Sequence, residues 1–179
     1  MLPRRIPLLV ILLLAGGCKG QQQAKPLPRP GEAAVHFSPG GGCTDAVVSA
    51  LGQARRTVLV QAYSFTSAPI AKALVDAHKR SVKVQVILDK SQRTEKYSSA
   101  DFLAHAGVPV QIDDKHQIAH NKIMIIDGAT VITGSFNFTT SAEEHNAENL
   151  LIIHSKDLAA KYTDNWRIHA GHSVSYEGR

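Results

Sequence analysis

The sequence has 179 residues, of which 44% are apolar and 20% charged, a composition typical of a soluble globular domain that excludes an intrinsically disordered chain. This length fits one domain with an appendage, and no second domain is required. The 20 basic and 15 acidic residues give a formal charge of +5, a mild excess that is compatible with a polyanionic partner but does not identify one.

The first 18 residues have the pattern of a bacterial export signal. A basic start with Arg4 and Arg5 precedes an apolar run over residues 6–15, which is shorter than the roughly 20 residues of a membrane-spanning helix. Residues 15–18 also resemble a lipoprotein processing site, with Ala15 where such sites usually have Leu, so plain cleavage and lipidation of Cys18 both stay open. In either case we expect export to the periplasm or the medium. Lipidation would add a membrane tether.

Residues 19–34 are rich in Gln and Pro and carry too few apolar residues to fold, which predicts a flexible tether. A folded domain is therefore predicted to cover residues 35–179. Within this range Cys43 has no disulfide partner, because Cys18 belongs to the processed segment. Cys43 is predicted to be a small buried residue.

Helix and strand patterns alternate along the domain. Thr44 and Asp45 signal a helix N-terminus ahead of apolar residues at helical spacing, and a strand pattern follows at residues 57–63. The remaining segments are predicted as helix 69–79, strand 82–89, helix 98–106, strand 108–112, a hairpin, strand 149–154 and helix 156–168. This order predicts an α/β fold with a mixed central β-sheet flanked by helices on both faces.

The hairpin lies near residue 127 and carries several polar side chains that can bind phosphate. Residues 123–126 form an apolar run typical of a strand buried on both faces, and Asp127-Gly128 gives a turn signal before the next run. A two-residue loop at 127–128 would place His120 opposite Ser135. A loop centred on 128–129 would place His120 opposite Asn137. Both registers stay open, and both bring the polar side chains together.

The spacing of these residues resembles the HKD motif of the phospholipase D superfamily. His120-x-Lys122 is followed by Asp127 five residues later and then by Gly134-Ser135-x-Asn137. A second His-x-Lys at residues 154–156 lacks the later residues, which leaves one complete copy. The sequence around the motif, including residues 62–66, 133–139 and 146–149, is similar to the small single-motif bacterial endonucleases of that superfamily. The resemblance covers about residues 35–170 and implies an α/β/α sandwich.

The resemblance also implies roles for individual residues. His120 would attack phosphorus and form a phosphohistidine, while Lys122 and Asn137, supported by Ser135, would bind the non-bridging oxygens. Glu148 would accept a hydrogen bond from His120 and orient its ring. Two further motif residues are expected to be structural, namely Asp127, which would hold the turn, and Gly134, which would let the backbone approach.

The sequence does not predict a metal site or a cofactor. His116 and His120 stand four residues apart, and in an extended segment about 13 Å would separate them, which is too far for one ion. Asp113 and Asp114 could hold a cation, but paired acids in loops are usually solvated, so we interpret them as solvated loop residues. The other histidines of the domain are predicted at surface or packing positions: His36, His78, His105, His116, His145, His169 and His172.

Taken together, the motif predicts a metal-independent phosphodiesterase, an exported endonuclease acting on DNA without sequence preference, with RNA open as a second substrate. Phospholipid hydrolysis is the first alternative, and an inactive nucleic-acid-binding lipoprotein is the second. Because the mechanism needs two histidines and the chain holds one complete motif, we expect a homodimer in which each chain contributes its His120 to one composite site.

Overall fold

A mixed sheet of eight strands runs through the computed structural model, which describes residues 27–179. The predicted signal at residues 1–18, with Cys18, and the first part of the predicted tether lie outside these residues. The strands are β1 Ala33–Ser38, β2 Thr57–Ala62, β3 Lys83–Asp89, β4 Val110–Asp113, β5 Lys122–Ile126, β6 Thr130–Gly134, β7 Glu148–His154 and β8 Val174–Tyr176. The helices are α1 Cys43–Gln53, α2 Ala68–Lys79, α3 Ala100–His105, α4 Thr140–Glu144 and α5 Lys156–Ala170.

The strand order is β1-β7-β6-β5-β2-β3-β4-β8. The β2–β3 and β3–β4 pairs are parallel, as expected for strands joined through helices, and the other pairs are antiparallel. The predicted mixed sheet is confirmed. Strands β2 and β5 form its centre. Strand β2 ends, and β5 begins, beside the polar segment that contains His120.

Both faces of the sheet are buried, because side chains along each central strand alternate between two apolar clusters. Val58 and Met124 belong to the larger cluster, which includes residues of α1, α2 and α3. Ile123 and Ile125 belong to the smaller cluster with Trp166 of α5. Burial of an aliphatic side chain of this size contributes about 1.5–3 kcal/mol, so the two layers explain the unbroken apolar run of β5.

The predicted start of the domain at residue 35 is too late. Strand β1 begins at Ala33, and the backbone pairs with β7 before that, where the N–H of Gly31 donates to the carbonyl of His154 at 2.9 Å. Leu27 packs against the larger apolar cluster. The tether prediction failed here because β1 is an edge strand with exposed Val35 and Phe37, so its pattern does not resemble a buried strand.

The short elements β8, α4 and the 3₁₀ turn Lys90–Arg93 were also not predicted. Each contains three to five residues, too few for a periodic pattern to be recognised. Among the helices of residues 27–179, none has the length and apolar character needed to cross a membrane.

Candidate active site

The predicted site residues lie at one edge of the sheet, where β2 and β3 end, β5 and β7 begin, and β6 ends. This arrangement follows from the topology, because β5 runs antiparallel to β2 and to β6. Lys122 is the first residue of β5 and pairs with Ala62 at the end of β2. Polar side chains that leave the ends of buried strands therefore converge at this edge.

The hairpin register differs from both predicted registers. Ile126 pairs with Thr130 and Met124 with Ile132, so the loop has three residues, 127–129. Extending this register would place Phe136 opposite His120, not Ser135 or Asn137. The third loop residue is accommodated because Asp127 itself takes a left-handed conformation, with φ of 55°, followed by Gly128 at 63°.

The conformation of Asp127 is held by its own side chain. The carboxylate accepts hydrogen bonds from the backbone N–H groups of Arg55 at 3.0 Å, Arg56 at 2.7 Å and Thr57 at 2.9 Å. These bonds attach the hairpin loop to the start of β2, at the opposite edge of the sheet from His120. Asp127 is therefore in position to organise the fold and is too distant to contact a substrate at His120.

A β-bulge after Gly134 changes which face of the sheet the side chains at the end of β6 project from. The N–H groups of Ser135 and Phe136 both donate to the carbonyl of Asn149, at 3.1 and 3.2 Å, so two residues oppose one. The extra residue shifts the faces on which Ser135 and Asn137 project. Gly134 makes this approach possible, since its φ is 140° and a Cβ there would lie 2.2 Å from the Asn149 carbonyl oxygen.

His120 is exposed at this edge and packs against an aromatic ring. Its ring centroid lies 4.7 Å from that of Tyr63, with the two planes tilted by 57°. The backbone on either side of His120 is fixed. The Ala119 N–H donates to Asp89 Oδ2 at 2.7 Å, and the Tyr63 N–H donates to the Asn121 carbonyl at 2.8 Å.

Tyr63 and Asp89 were not predicted as site residues. A signal for both was available, because each stands at the carboxyl end of one of two adjacent parallel strands, which is where open α/β sheets place ligands. Neither residue belongs to the HKD spacing, which is confined to the chain after residue 119.

Lys122 lies beneath His120 with its ammonium group largely removed from water. The residue is 7% exposed, and Nζ donates to the His120 carbonyl at 3.1 Å and stands 5.1 Å from the centre of the Tyr63 ring. Burial lowers the pKa of Lys122, an effect that the negative charge of Glu148 partly offsets. An incompletely solvated cation at an open edge is well suited to bind an anion.

The other predicted phosphate ligands follow the bulge. Asn137 Oδ1 is buried and has no hydrogen-bond partner among residues 27–179. Ser135 Oγ donates to Asn149 Oδ1 at 3.1 Å and accepts from the Asn149 N–H at the same distance. Ser135 is thus bonded to β7, whereas the Oδ1 acceptor of Asn137 is unpaired.

Glu148 has a different partner from the predicted one. Its Oε1 accepts a hydrogen bond from Asn146 Nδ2 at 3.1 Å, and no hydrogen bond to His120 occurs in the described part of the chain. Glu148 is the first residue of β7, and its partly exposed side chain bonds a donor two residues away. The carboxylate affects the site in this structure through its charge on Lys122.

The second His-x-Lys lies at the far edge of the sheet. His154 ends β7, and its Nδ1 is 3.2 Å from Thr130 Oγ1 beside the hairpin loop. It belongs to the same edge as Asp127, and it cannot supply a second histidine to a phosphate bound at His120 of the same chain.

Four residues that could bind a metal ion meet where β4 ends, at the same edge of the sheet. The prediction of surface or packing positions missed this cluster, which joins Asp113 to His116, His169 and His172. The sequence did not show it, because the helix end and the β4 end that carry them are brought together by the fold. Burial raises the pKa of Asp113, but hydrogen bonds from His169 and His116 more than offset this and hold it well below its usual range.

Comparison with known proteins identifies relatives. The family model "Cardiolipin synthase, PLD-like domain" matches residues 47–167. A protein named phospholipase D from Rickettsia conorii is 44% identical over 130 residues, which is 73% of this chain and 65% of that protein. Mitochondrial cardiolipin hydrolase from Xenopus laevis is 35% identical over 116 residues, 65% of this chain and 55% of that protein. The chain therefore spans between about half and two thirds of the length of these relatives.

Solved structures are similar over nearly their whole length. Nuc from Salmonella typhimurium, a phospholipase D family member, has a TM-score of 0.79 and 36% identity, covering 82% of this chain and 99% of Nuc. NucT from Helicobacter pylori has a TM-score of 0.74 and 26% identity, covering 81% of this chain and 99% of NucT. With the His and Lys of the motif at one sheet edge and a family model matched over most of the domain, this chain belongs to the phospholipase D superfamily.

Proposed function

We propose that this chain is a metal-independent phosphodiesterase that acts as an exported endonuclease on DNA, with RNA as a further substrate. The observation that carries the proposal is that the exposed ring of His120 and the buried ammonium of Lys122 both lie beside the Tyr63 ring at an open sheet edge. This pair combines a nucleophile that is accessible to solvent with a cation that has few hydrogen-bond partners.

The reaction proceeds in two displacements. A ring nitrogen of His120 attacks phosphorus, the bond from phosphorus to the leaving oxygen breaks, and a second histidine donates a proton to that oxygen. Water then attacks the phosphohistidine, the same second histidine accepts a proton from the water, and the phosphorus–nitrogen bond breaks. His120 is returned in its starting form.

Charge on the phosphate is balanced by side chains. Lys122 supplies a positive charge, and Asn137 would donate a hydrogen bond from its side-chain Nδ2 to a phosphate oxygen. Fixed groups of this kind stabilise the charge that develops in the transition state by several kcal/mol. Ser135 contributes by fixing the bulge through Asn149. Glu148 orients His120 in the substrate complex, a contact that requires its side chain to leave Asn146.

The second histidine comes from a second copy of the chain. Within the described residues the other His-x-Lys is at the opposite sheet edge, whereas His120 is exposed. A two-fold axis passing between two such edges would place both His120 rings against one phosphate and both Lys122 ammonium groups around it. The active form is therefore a homodimer with one composite site.

Two observations bear on the choice of substrate. The sequence around the motif resembles the single-motif bacterial endonucleases, and this resemblance favours DNA. The relatives named phospholipase D and cardiolipin hydrolase favour a phospholipid, although this chain covers a smaller share of them. Phospholipid hydrolysis is the second candidate, and binding of nucleic acid without turnover is the third.

The residues before the domain determine location. An export signal over residues 1–18 would direct the domain to the periplasm or the medium, and lipidation of Cys18 would tether it to a membrane. The mass of the mature N-terminus distinguishes the two forms. A free N-terminus downstream of the signal indicates plain cleavage, and an acylated Cys18 indicates a lipoprotein.

The function is tested by incubating the protein in parallel with supercoiled plasmid, single-stranded DNA, RNA and phosphatidylcholine vesicles, each with EDTA. We expect plasmid cleavage that persists in EDTA, vesicles left intact, and no cleavage by His120→Asn. Denaturing quench during turnover should trap a phosphorylated His120 that is stable to alkali and labile to acid. Cleavage of vesicles alone would select the phospholipase, and activity that requires added Mg²⁺ would contradict the mechanism.

The composite site is tested by mixing subunits. Dimers with one wild-type and one His120→Asn chain should lose activity, because each site needs both rings. Full activity of such mixed dimers, or of a strict monomer measured by light scattering, would exclude a shared site.

A further inference from the structure

A second site is formed by the four residues Asp113, His116, His169 and His172, which we call the Asp113 cluster. They come from the last residue of β4, the loop that follows it, the end of α5 and the turn after α5. One ligand atom from each residue lies within 4.8 Å of the ligand atoms of the other three. The chain supplies them as two pairs, Asp-x-x-His and His-x-x-His.

The distances within the cluster are those of a coordination shell. His169 Nδ1 lies 2.7 Å from Asp113 Oδ2, His116 Nδ1 lies 3.1 Å from Oδ1, and His172 Nε2 lies 3.3 Å from Oδ1. Four ligands bound tetrahedrally to zinc with bonds of about 2.0–2.1 Å are about 3.3 Å apart. An ion between these four atoms would require only small side-chain shifts.

Hydrogen bonds within the cluster do not pair all of its buried polar atoms. Asp113 is fully buried and faces three imidazole rings. His172 Nε2 is buried and, although 3.3 Å from Asp113, is not oriented for a hydrogen bond and has no other partner in the part of the chain that the structure describes. The three ring centroids are separated by 4.9, 5.2 and 5.3 Å, so the three imidazoles lie side by side around the Asp113 carboxylate.

We propose that the Asp113 cluster binds one divalent transition-metal ion, with zinc as the best match to three imidazoles and one carboxylate. The protein supplies all four ligands, which is the pattern of a structural site without an open position for substrate. The ion does not take part in phosphate chemistry at His120, and the site is independent of the proposed function.

The ion would fasten the loop that leads to the nucleophile. Asp113 and His116 lie on the chain segment that ends at His120, whereas His169 and His172 belong to the C-terminal end of α5 and the turn after it. The same loop is already held by two hydrogen bonds, from Lys90 Nζ to the His116 carbonyl at 3.0 Å and from the Ala119 N–H to Asp89 at 2.7 Å. Metal binding would reinforce the existing link from this segment to α5, the hydrogen bond between Asp113 and His169.

The test uses the full mature chain, stripped with EDTA, freed of chelator and titrated with zinc. We expect one zinc per chain by mass spectrometry of metals, an absorption spectrum typical of tetrahedral cobalt when Co²⁺ replaces zinc, and a thermal midpoint raised by about 5 °C or more in excess zinc. His169→Gln should lose all three. His116→Gln carries less risk of misfolding, because its ring is 44% exposed, and should weaken zinc binding at least tenfold.

His145→Gln is the matched control, since His145 is exposed and lies outside the cluster, and it should bind zinc as the wild type does. Zinc content that is the same in wild type, His116→Gln and His169→Gln would overturn the proposal, as would absence of zinc from the wild type. Turnover measured well below the unfolding temperature should be kept after stripping. Retained turnover would show that the ion is structural. Failure of the proposed phosphodiesterase would instead appear as absence of turnover both with and without zinc.

Discussion

Two histidines of the segment 113–122 stand four residues apart and have opposite environments. His116 lies beside the carboxylate of Asp113 and within 5.2 Å of two other imidazole rings, measured between centroids. His120 is exposed and contacts the Tyr63 ring. Its imidazole nitrogens form no hydrogen bond with any of residues 27–179. A ring surrounded by fixed partners is suited to hold a structure in place, whereas a ring without partners is available to react. The same residue type therefore serves two purposes within one loop.

The first prediction addresses the unpartnered ring. His120→Asn should reduce turnover by at least about a thousandfold, because it removes the nucleophile. The thermal midpoint should stay within about 2 °C of wild type, since an exposed polar side chain replaces another. Plasmid cleavage and thermal unfolding measure the two effects.

The control for this substitution is His145→Asn, an exposed histidine at the end of α4, which should keep its activity. If His120→Asn cleaved DNA at a rate within tenfold of wild type, His120 could not be the nucleophile, and its difference in environment from His116 would not reflect a role in catalysis.

The second prediction tests whether burial of the cation serves function at the expense of stability. Lys122→Met should lower turnover by about a hundredfold or more, because a charge that binds phosphate is lost. The protein should unfold at the same temperature as wild type or higher, since burial lowers the pKa of Lys122 and an apolar side chain suits the site better. Lys83→Met, at an exposed position of β3, should change neither quantity. A large loss of stability in Lys122→Met would show that the ammonium supports the fold.

The third prediction concerns the bulge that aligns Asn137 with the site. Gly134→Ala should destabilise the domain by about 2–4 kcal/mol, because a side chain is strained at this φ and its Cβ would collide with the Asn149 carbonyl. Denaturant unfolding gives the value. Gly52→Ala is the matched change in α1, where a Cβ meets nothing within 4 Å, and it should stabilise by up to about 1 kcal/mol. Equal effects of the two substitutions would show that the bulge does not depend on glycine.

The fourth prediction concerns the residue that holds the loop next to His120. Asp89→Asn should cost about 1–3 kcal/mol, because the carboxylate accepts from both the Ser91 and the Ala119 N–H groups and an amide keeps only one acceptor oxygen. Turnover should fall as well, since the backbone before His120 loses its anchor. Asp114→Asn, at a half-exposed position in the same loop, should be close to neutral. Loss of stability without any change in turnover would separate the loop anchor from catalysis.

The smallest effect is expected at Glu148. Glu148→Gln should lower turnover about tenfold without weakening DNA binding, because the carboxylate would orient His120 but does not react. Single-turnover kinetics and a binding assay with His120→Asn as the background separate the two steps. Glu144→Gln, exposed on α4, is the control. Unchanged turnover in Glu148→Gln would leave its bond to Asn146 as its whole role.

The family, the fold class and the candidate site residues could all be predicted from the sequence alone. The HKD spacing is local, since His120, Lys122, Asn137 and Glu148 lie within one short stretch of the chain. The central strands were predictable because their apolar runs must be buried on both faces, whatever the rest of the chain does. The edge strand β1 was missed because the burial that gives strands their pattern is absent there.

Only the tertiary structure decided the register of the hairpin and the partners of the site. The three-residue loop depends on Asp127 accepting hydrogen bonds from residues 55–57, a contact that the hairpin sequence does not contain. Tyr63 contacts the His120 ring, and Asp89 accepts from the Ala119 N–H, although both come from strands that are distant in sequence. The Asp113 cluster combines two ligand pairs that are distant in the chain, and nothing in either pair alone indicates the other. Contacts of this kind depend on how the sheet brings its strand ends together, and local periodicity carries no information about them.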